Sequence, residues 1–254
     1  IENKIDKISI TRQIFNRFPY TLRSILWLFR YLFFRWPLKG VGLDEWRKTP
    51  SKITFVSYLF NLVPNAIEKG EFQSRYWTSL PNMLKHSTTN WLHLYVRSSE
   101  LPDARTARDI IKKFNKTYKG VQVHTTLDSF LSIERIYVVL KYYYKLIRKQ
   151  KFLQSLLKIT AGIYWPLLAK DYKDSTSGIT AMDNVLCLSL FESAMSSLPC
   201  QENGVYLQEN QGWEFALIHY WHLNHGNKLI GWSHSFTRFW DLRYYFDPRV
   251  YNSN

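Results

Sequence analysis

The densest chemistry in this chain is a carboxylate set among amides and an indole, Gln208-Glu209-Asn210-Gln211-Gly212-Trp213-Glu214. A carboxylate in such a turn can serve as general base, taking a proton from a sugar hydroxyl. The amides of Gln208, Asn210 and Gln211 can hold neighbouring hydroxyls, and Trp213 offers a flat apolar face to a pyranose ring. Two carboxylates compete for the role. Glu214 falls in the first turn of a following helix, where the helix dipole and backbone capping also favour an acid. Glu209 sits at the turn itself and is the candidate base, with a solvated or hydrogen-bonded loop carboxylate as its alternative.

Three further segments carry polar groups of the same kind. Ser233-His234-Ser235-Phe236-Thr237-Arg238 brings an imidazole able to bond a substrate or a phosphate, and a guanidinium able to grip an anion through two bonds. The alternative for His234 and Arg238 is a backbone carbonyl or a neighbouring acid such as Asp241. Ser57-Tyr58-Leu59-Phe60-Asn61 contributes Asn61, and His124-Thr125-Thr126-Leu127-Asp128 contributes His124. His93, inside an apolar run, reads as a core histidine. His219, His222 and His225 have chelating spacing on a helix, but no carboxylate or cysteine motif supports them and no metal is assigned. Walker, dinucleotide, nucleophile-elbow and His-Glu-x-x-His motifs are missing, as are zinc-finger, RNP and KH patterns.

The elements that must position these groups alternate. Short β-branched and aromatic runs predict strands over 53–58, 90–96, 121–124, 204–208 and 228–232. Between them, apolar periodicity predicts helices over 76–85, 104–118 (capped by Asp103), 133–168 (as two helices meeting near Gln150 or Gly162), 179–197 and 212–225. This order argues an α/β domain with a mostly parallel sheet flanked by helices. In such sheets ligands bind beyond the carboxyl ends of the strands. Residues 57–61, 124–128, 208–214 and 233–238 are then strand exits sharing one rim.

The 254 residues carry 34 Lys+Arg against 20 Asp+Glu, a net charge of +14 that calls for an anionic partner: nucleic acid, membrane surface or phosphorylated substrate. Residues 1–50 hold ten Lys+Arg and four Asp+Glu, and a second basic zone runs from Lys141 to Lys158. Thr11 to Trp36 predicts one helix rich in arginine and tryptophan. Arg23, Arg30 and Arg35 interrupt its apolar run too often for a membrane span. It suits either a lipid interface or a helix packed on its own protein with solvated arginines. Residues 1–50 therefore read as a basic amphipathic helical segment, and 51–254 as the α/β domain. Two cysteines, Cys187 and Cys200, make no disulfide framework and suggest a reducing compartment. No leader segment is visible, although the chain starts at Ile1 rather than Met.

The runs 206–214, Gly231-Trp232-Ser233-His234-Ser235 and Arg238-Phe239-Trp240-Asp241-Leu242-Arg243-Tyr244 resemble a family of bacterial surface-carbohydrate biosynthesis proteins. These are glycosyltransferases of O-antigen and capsule clusters. Ile53 to Asn61, Tyr76-Trp77, Asn90-Trp91-Leu92-His93, His124 to Leu131 and Ser177-Gly178 are similar to its upstream blocks, so the likeness runs from about Ile53 to Tyr251. It implies a GT-B-like enzyme of two Rossmann-like domains facing across a cleft, with this chain as the acceptor half. It further implies Glu209 as base, with His234 and Arg238 lining the cleft. The substrate would be a nucleotide-sugar, a CMP-linked one by analogy, bound by a second domain expected beyond Asn254. No cofactor is implied. The expected partner is a glycan or lipid-linked acceptor. The expected location is the cytoplasm, with peripheral contact to the anionic inner face of the membrane. A non-catalytic basic module for nucleic acid or anionic lipid stays open beside it, as does a structural domain with a vestigial cleft.

Overall fold

The computed structural model describes residues 15–226 and 228–233. The chain divides into two units, and the division is not linear. Residues up to Lys39 join Leu131–Leu190 in one unit, while Gly40–Phe130 and Phe191 onward make the other. The helical unit is thus assembled from two distant stretches of the chain.

The second unit is Rossmann-like. Five strands, β1 (Ile53–Leu59), β2 (Thr89–Tyr95), β3 (Gln122–Thr126), β4 (Asn203–Leu207) and β5 (Lys228–Trp232), form one sheet in the order β3-β2-β1-β4-β5. Every neighbouring pair is parallel. Short helices α2 (Leu43–Arg47), α3 (Pro64–Lys69) and α4 (Leu80–Met83) belong to it, with the longer α5 (Ala104–Thr117) and α9 (Gly212–Asn224). The helix expected over 76–85 shrinks to α4, because Pro81 sits in its first turn and supplies no N–H to extend it backwards. β1 and β2 are buried along nearly their whole length, which is why their sequences are continuous apolar runs rather than alternating ones.

The core is aromatic. Trp91 is fully buried and stacks on Phe55 at 4.4 Å, while Phe72 and Trp77 meet its ring at steeper angles. α5 docks on this layer through Ala107, Ile110, Ile111 and Phe114, the face its periodicity marks. Asp103 starts that helix by accepting from the backbone N–H of Arg105 and Thr106 at 2.8 and 2.9 Å. At the opposite end of the strands from the predicted rim, buried polar groups are paired. Thr49 Oγ1 donates to Asn90 Oδ1, and the Asn90 amide donates to Thr54 Oγ1 and Gln201 Oε1. The start of β1 is thereby tied to β2 and to the approach to β4 without an orphaned amide.

β3 continues two residues further than its sequence suggested, since Thr125 and Thr126 are themselves β-branched. His124 is therefore mid-strand, opposite Trp91, and not at a strand exit.

The first unit is helical: α1 (Tyr20–Arg35), α6 (Ile133–Ala161), α7 (Trp165–Ser177) and the first part of α8 (Ile179–Ser197). α1 is shorter than the helix expected from Thr11, and Pro19 stands at its start. α6 runs uninterrupted through Gln150 and stops at Gly162, whose φ of 51° favours a residue without a side chain. The unit is fastened at one carbonyl. Ser177 O accepts from Ser24 Oγ at 3.1 Å and from Tyr143 Oη at 2.5 Å, joining α1, α6 and the end of α7.

Candidate functional site

The chain builds outward from β1 to β2 and β3, then returns to the other flank for β4 and β5. The strand order reverses at the β1/β4 boundary, where open parallel sheets place a ligand crevice beyond the carboxyl ends of the strands. Val56 stands opposite Tyr206, so Tyr58 and Gln208 leave the sheet side by side. Asn61 on one side and Glu209-Asn210 on the other follow these two strand ends.

Both exits are backbone-strained. Asn61 has φ 52° and Asn210 φ 57°, the left-handed region that asparagine tolerates better than most residues. Asn210 Nδ2 is buried and has no hydrogen-bond partner among the described residues. An orphaned donor on a strained turn is a feature that concentrates at functional sites.

Glu214 is spent on structure. It is only 4% exposed, and its Oε1 accepts from the backbone N–H of both Glu209 and Gln211 at 2.8 Å. Gln211 closes the reciprocal half of a capping box at the start of α9. Burial pushes the Glu214 carboxyl above its ordinary range, while the N–H donors of Gln211 and Glu209 pull the other way. Its expected substrate contact is replaced by the capping alternative: this side chain folds the 209–211 turn. We expect Glu214→Ala to destabilise the protein by about 1–3 kcal/mol, because two donors and a helix cap lose their acceptor. Urea unfolding of the purified variant reads this directly.

Trp213 is also turned to a different use. Its ring lies parallel to Phe191 at 6.0 Å and meets Tyr58 and Tyr206 edge-on, so one face is taken by protein rather than offered to a sugar. Its Nε1–H donates to Tyr58 Oη at 2.9 Å. The Tyr58 hydroxyl in turn bonds the Glu209 side chain. Indole, phenol and carboxylate form a relay that ends on Glu209. Burial, outweighing the indole N–H that pulls the other way, holds the Tyr58 hydroxyl well above the ordinary phenol value, and the Glu209 charge raises it further. Tyr76 is raised by burial first and then by the same charge, while the Asn61 side chain bonds its hydroxyl. Tyr58 and Tyr76, which sequence reasoning passed over, thus flank Glu209.

The remaining predicted residues separate. His124 is fully buried beside His93, their ring nitrogens 3.0 Å apart, so it takes no part in the crevice. His234 and Arg238 lie outside the described residues. No group of three or more metal-ligating side chains occurs among the described residues. A cavity of about 690 Å³ lies at the other end of the sheet, against the start of β3, with Lys48, Lys112, Lys116 and Lys119 on its walls and Asp44 and Glu45 among them.

Neither a family model, nor a curated protein, nor a solved structure matches this chain. The chemistry of the site rests on Glu209 and its neighbours: a half-buried carboxylate fixed by a phenol, with an unpaired amide on the next residue. A carboxylate held in this way can accept a proton from a hydroxyl.

Proposed function

We propose that this chain is the acceptor-side half of a glycosyltransferase that extends a bacterial surface glycan. Glu209 is the general base. The acceptor hydroxyl gives its proton to the Glu209 carboxylate as its oxygen bonds the anomeric carbon of a nucleotide-sugar. The bond from that carbon to the nucleotide phosphate breaks, and the phosphate leaves with the electron pair. The Tyr58 hydroxyl orients the carboxylate, Trp213 orients Tyr58, and the Asn210 amide holds the acceptor oxygen. A CMP-linked sugar is the donor class suggested by resemblance, bound by a second domain that completes the GT-B-like cleft.

The observation that carries this reading is the Glu209 carboxylate bonded by Tyr58 on the turn after β4, next in sequence to the orphaned Asn210 amide. The basic-module alternative calls for a main cleft free of carboxylates. Glu209 in the crevice, and Asp44 and Glu45 in the lysine-walled cavity, do not meet that condition.

The acceptor in this proposal is lipid-linked, and the protein meets it from the cytoplasmic face of the membrane through α1. No helix among the described residues is long and apolar enough to cross a membrane. α1 instead exposes Leu22, Ile25, Phe29 and Phe33 along one stripe, while Ser24 and Leu28 face inward. The test is a transfer assay on the full-length protein with a panel of nucleotide-sugars and extracted lipid-linked acceptor. Nucleotide release that depends on acceptor is expected. Release that is the same with and without acceptor contradicts the assigned half-reaction.

A further inference from the structure

The helical unit contains a second element that the function above does not use. Beyond Gln150 the α6–α7 hairpin has no buried residue from Lys151 to Lys170. A hydrogen bond joins its legs where Tyr172 Oη donates to the Gln150 carbonyl, and the α6 leg continues about 15 Å past that point. This distal finger is apolar at its tip. Ile159, Ile163 and Leu167 are 81%, 86% and 76% exposed, and Phe152 and Tyr164 are exposed with them. A soluble surface rarely leaves so contiguous an apolar group in water, and burying each such side chain is worth about 1.5–3 kcal/mol.

The charge around the finger identifies what covers it. From Ile133 to Lys170 there are eight Lys and Arg against one acid, Glu134. Over the described residues of the whole unit the count is 14 Lys and Arg against four Asp and Glu. Four cations, Lys145, Arg148, Lys149 and Lys151, lie at the base of the finger, behind its apolar length. Lys145 and Arg148 rest over the rings of Tyr142 and Tyr144, and Lys158 over Trp165. An apolar end backed by a collar of cations on aromatic rings matches the layering of an anionic bilayer: acyl chains first, then headgroups. A protein interface core, by contrast, is depleted in lysine.

We infer that the α6–α7 hairpin tip inserts into the interfacial layer of an anionic membrane, as a second anchor beside α1. This deepens the membrane part of the proposed function and is independent of Glu209 chemistry. Two anchors on one unit multiply rather than add, since the second engages at high effective concentration.

The test uses the full chain and sedimentation with vesicles of phosphatidylcholine containing roughly a third phosphatidylserine. No sugar is present, so its outcome is separate from that of the transfer assay. Ile163→Asp combined with Leu167→Asp alters two exposed side chains, and circular dichroism checks that helix content is kept. Vesicle partitioning of this variant is expected to fall at least about tenfold. Wild-type binding is expected to weaken in high salt and with phosphatidylcholine alone. Equal partitioning of variant and wild type overturns the inference. So does a wild type that self-associates without vesicles through the same two residues, which makes the finger a protein contact. Phe29→Asp with Phe33→Asp separates the anchors: if that variant alone loses binding, α1 is the membrane contact and the hairpin is not.

Discussion

If the proposed function holds, Glu209→Gln is expected to lower the rate of sugar transfer by about 10²- to 10⁴-fold, the contribution typical of a positioned general base. The amide keeps the size and the capacity to accept from Tyr58 but cannot take the acceptor's proton. Stability should change little, because the Glu209 side chain caps no helix; the backbone N–H of Glu209 is what Glu214 holds, and the substitution leaves it in place. Acceptor binding should be largely retained, so the loss falls on kcat. Tyr58→Phe is the informative companion. It removes the hydroxyl between Trp213 and Glu209 without touching the reacting atoms, and a smaller loss is expected. Full activity in Glu209→Gln, measured as acceptor-dependent nucleotide release, contradicts the assignment of the base.

Stability is expected to fall as pH drops below about 6.5, before the carboxylates are protonated. His93 and His124 are completely buried, with His93 Nε2 and His124 Nδ1 3.0 Å apart and the rings nearly parallel. His124 Nε2 faces Gln122 Oε1 at 3.2 Å, which makes it the donor there. His124 Nδ1 then accepts from His93 Nε2, and His93 Nδ1 is left as a buried acceptor with no partner among the described residues. Burial lowers His93 from 6.5 to about 3. Burial and the neighbouring ring hold His124 well below its ordinary value. The unfolded chain binds protons at both rings near pH 6.5, while the folded chain refuses them until far lower. Stability is therefore complete above about pH 6.5 and falls as pH drops toward 3. His93 alone weakens the folding equilibrium by about tenfold per pH unit in that window, and His124 acts in the same direction. His225, also lowered by burial, acts in the same direction. Urea unfolding midpoints between pH 7.5 and 5 should show this slope, and His93→Gln should reduce it. A flat profile across that range contradicts a neutral buried pair.

The middle of the sheet was legible because β1 and β2 are buried on both faces. Ile53 to Leu59 and Thr89 to Tyr95 carry β-branched and aromatic side chains with no solvent-facing alternation to confuse them. α5 was legible from Asp103 and the spacing of Ala107, Ile110, Ile111 and Phe114. The Glu209 neighbourhood was legible only in part. Gln211 and Glu214 have capping-box spacing, so the structural use of Glu214 was readable locally. The Tyr58–Trp213 bond spans 155 residues, and nothing within either segment announces the other. His124 was misplaced because a short β-branched continuation, Thr125-Thr126, was read as loop. The helical unit was hidden for a similar reason. Ser24 and Ser177 join segments 153 residues apart through one small hydroxyl, which leaves no periodic signal in either segment.

In the proposed function a saccharide hydroxyl meets Glu209 beyond the carboxyl ends of β1 and β4. The Trp213 indole N–H reports on that event, because it bonds the tyrosine that bonds Glu209. Its resonance in a nitrogen–proton spectrum can be assigned by its disappearance in Trp213→Phe. Titration with a panel of saccharides should move that one signal saturably in the wild type, and far less in Asn210→Ala. If the Trp213 signal stays fixed while other resonances follow saccharide binding, the sugar sits elsewhere and the proposed site is wrong.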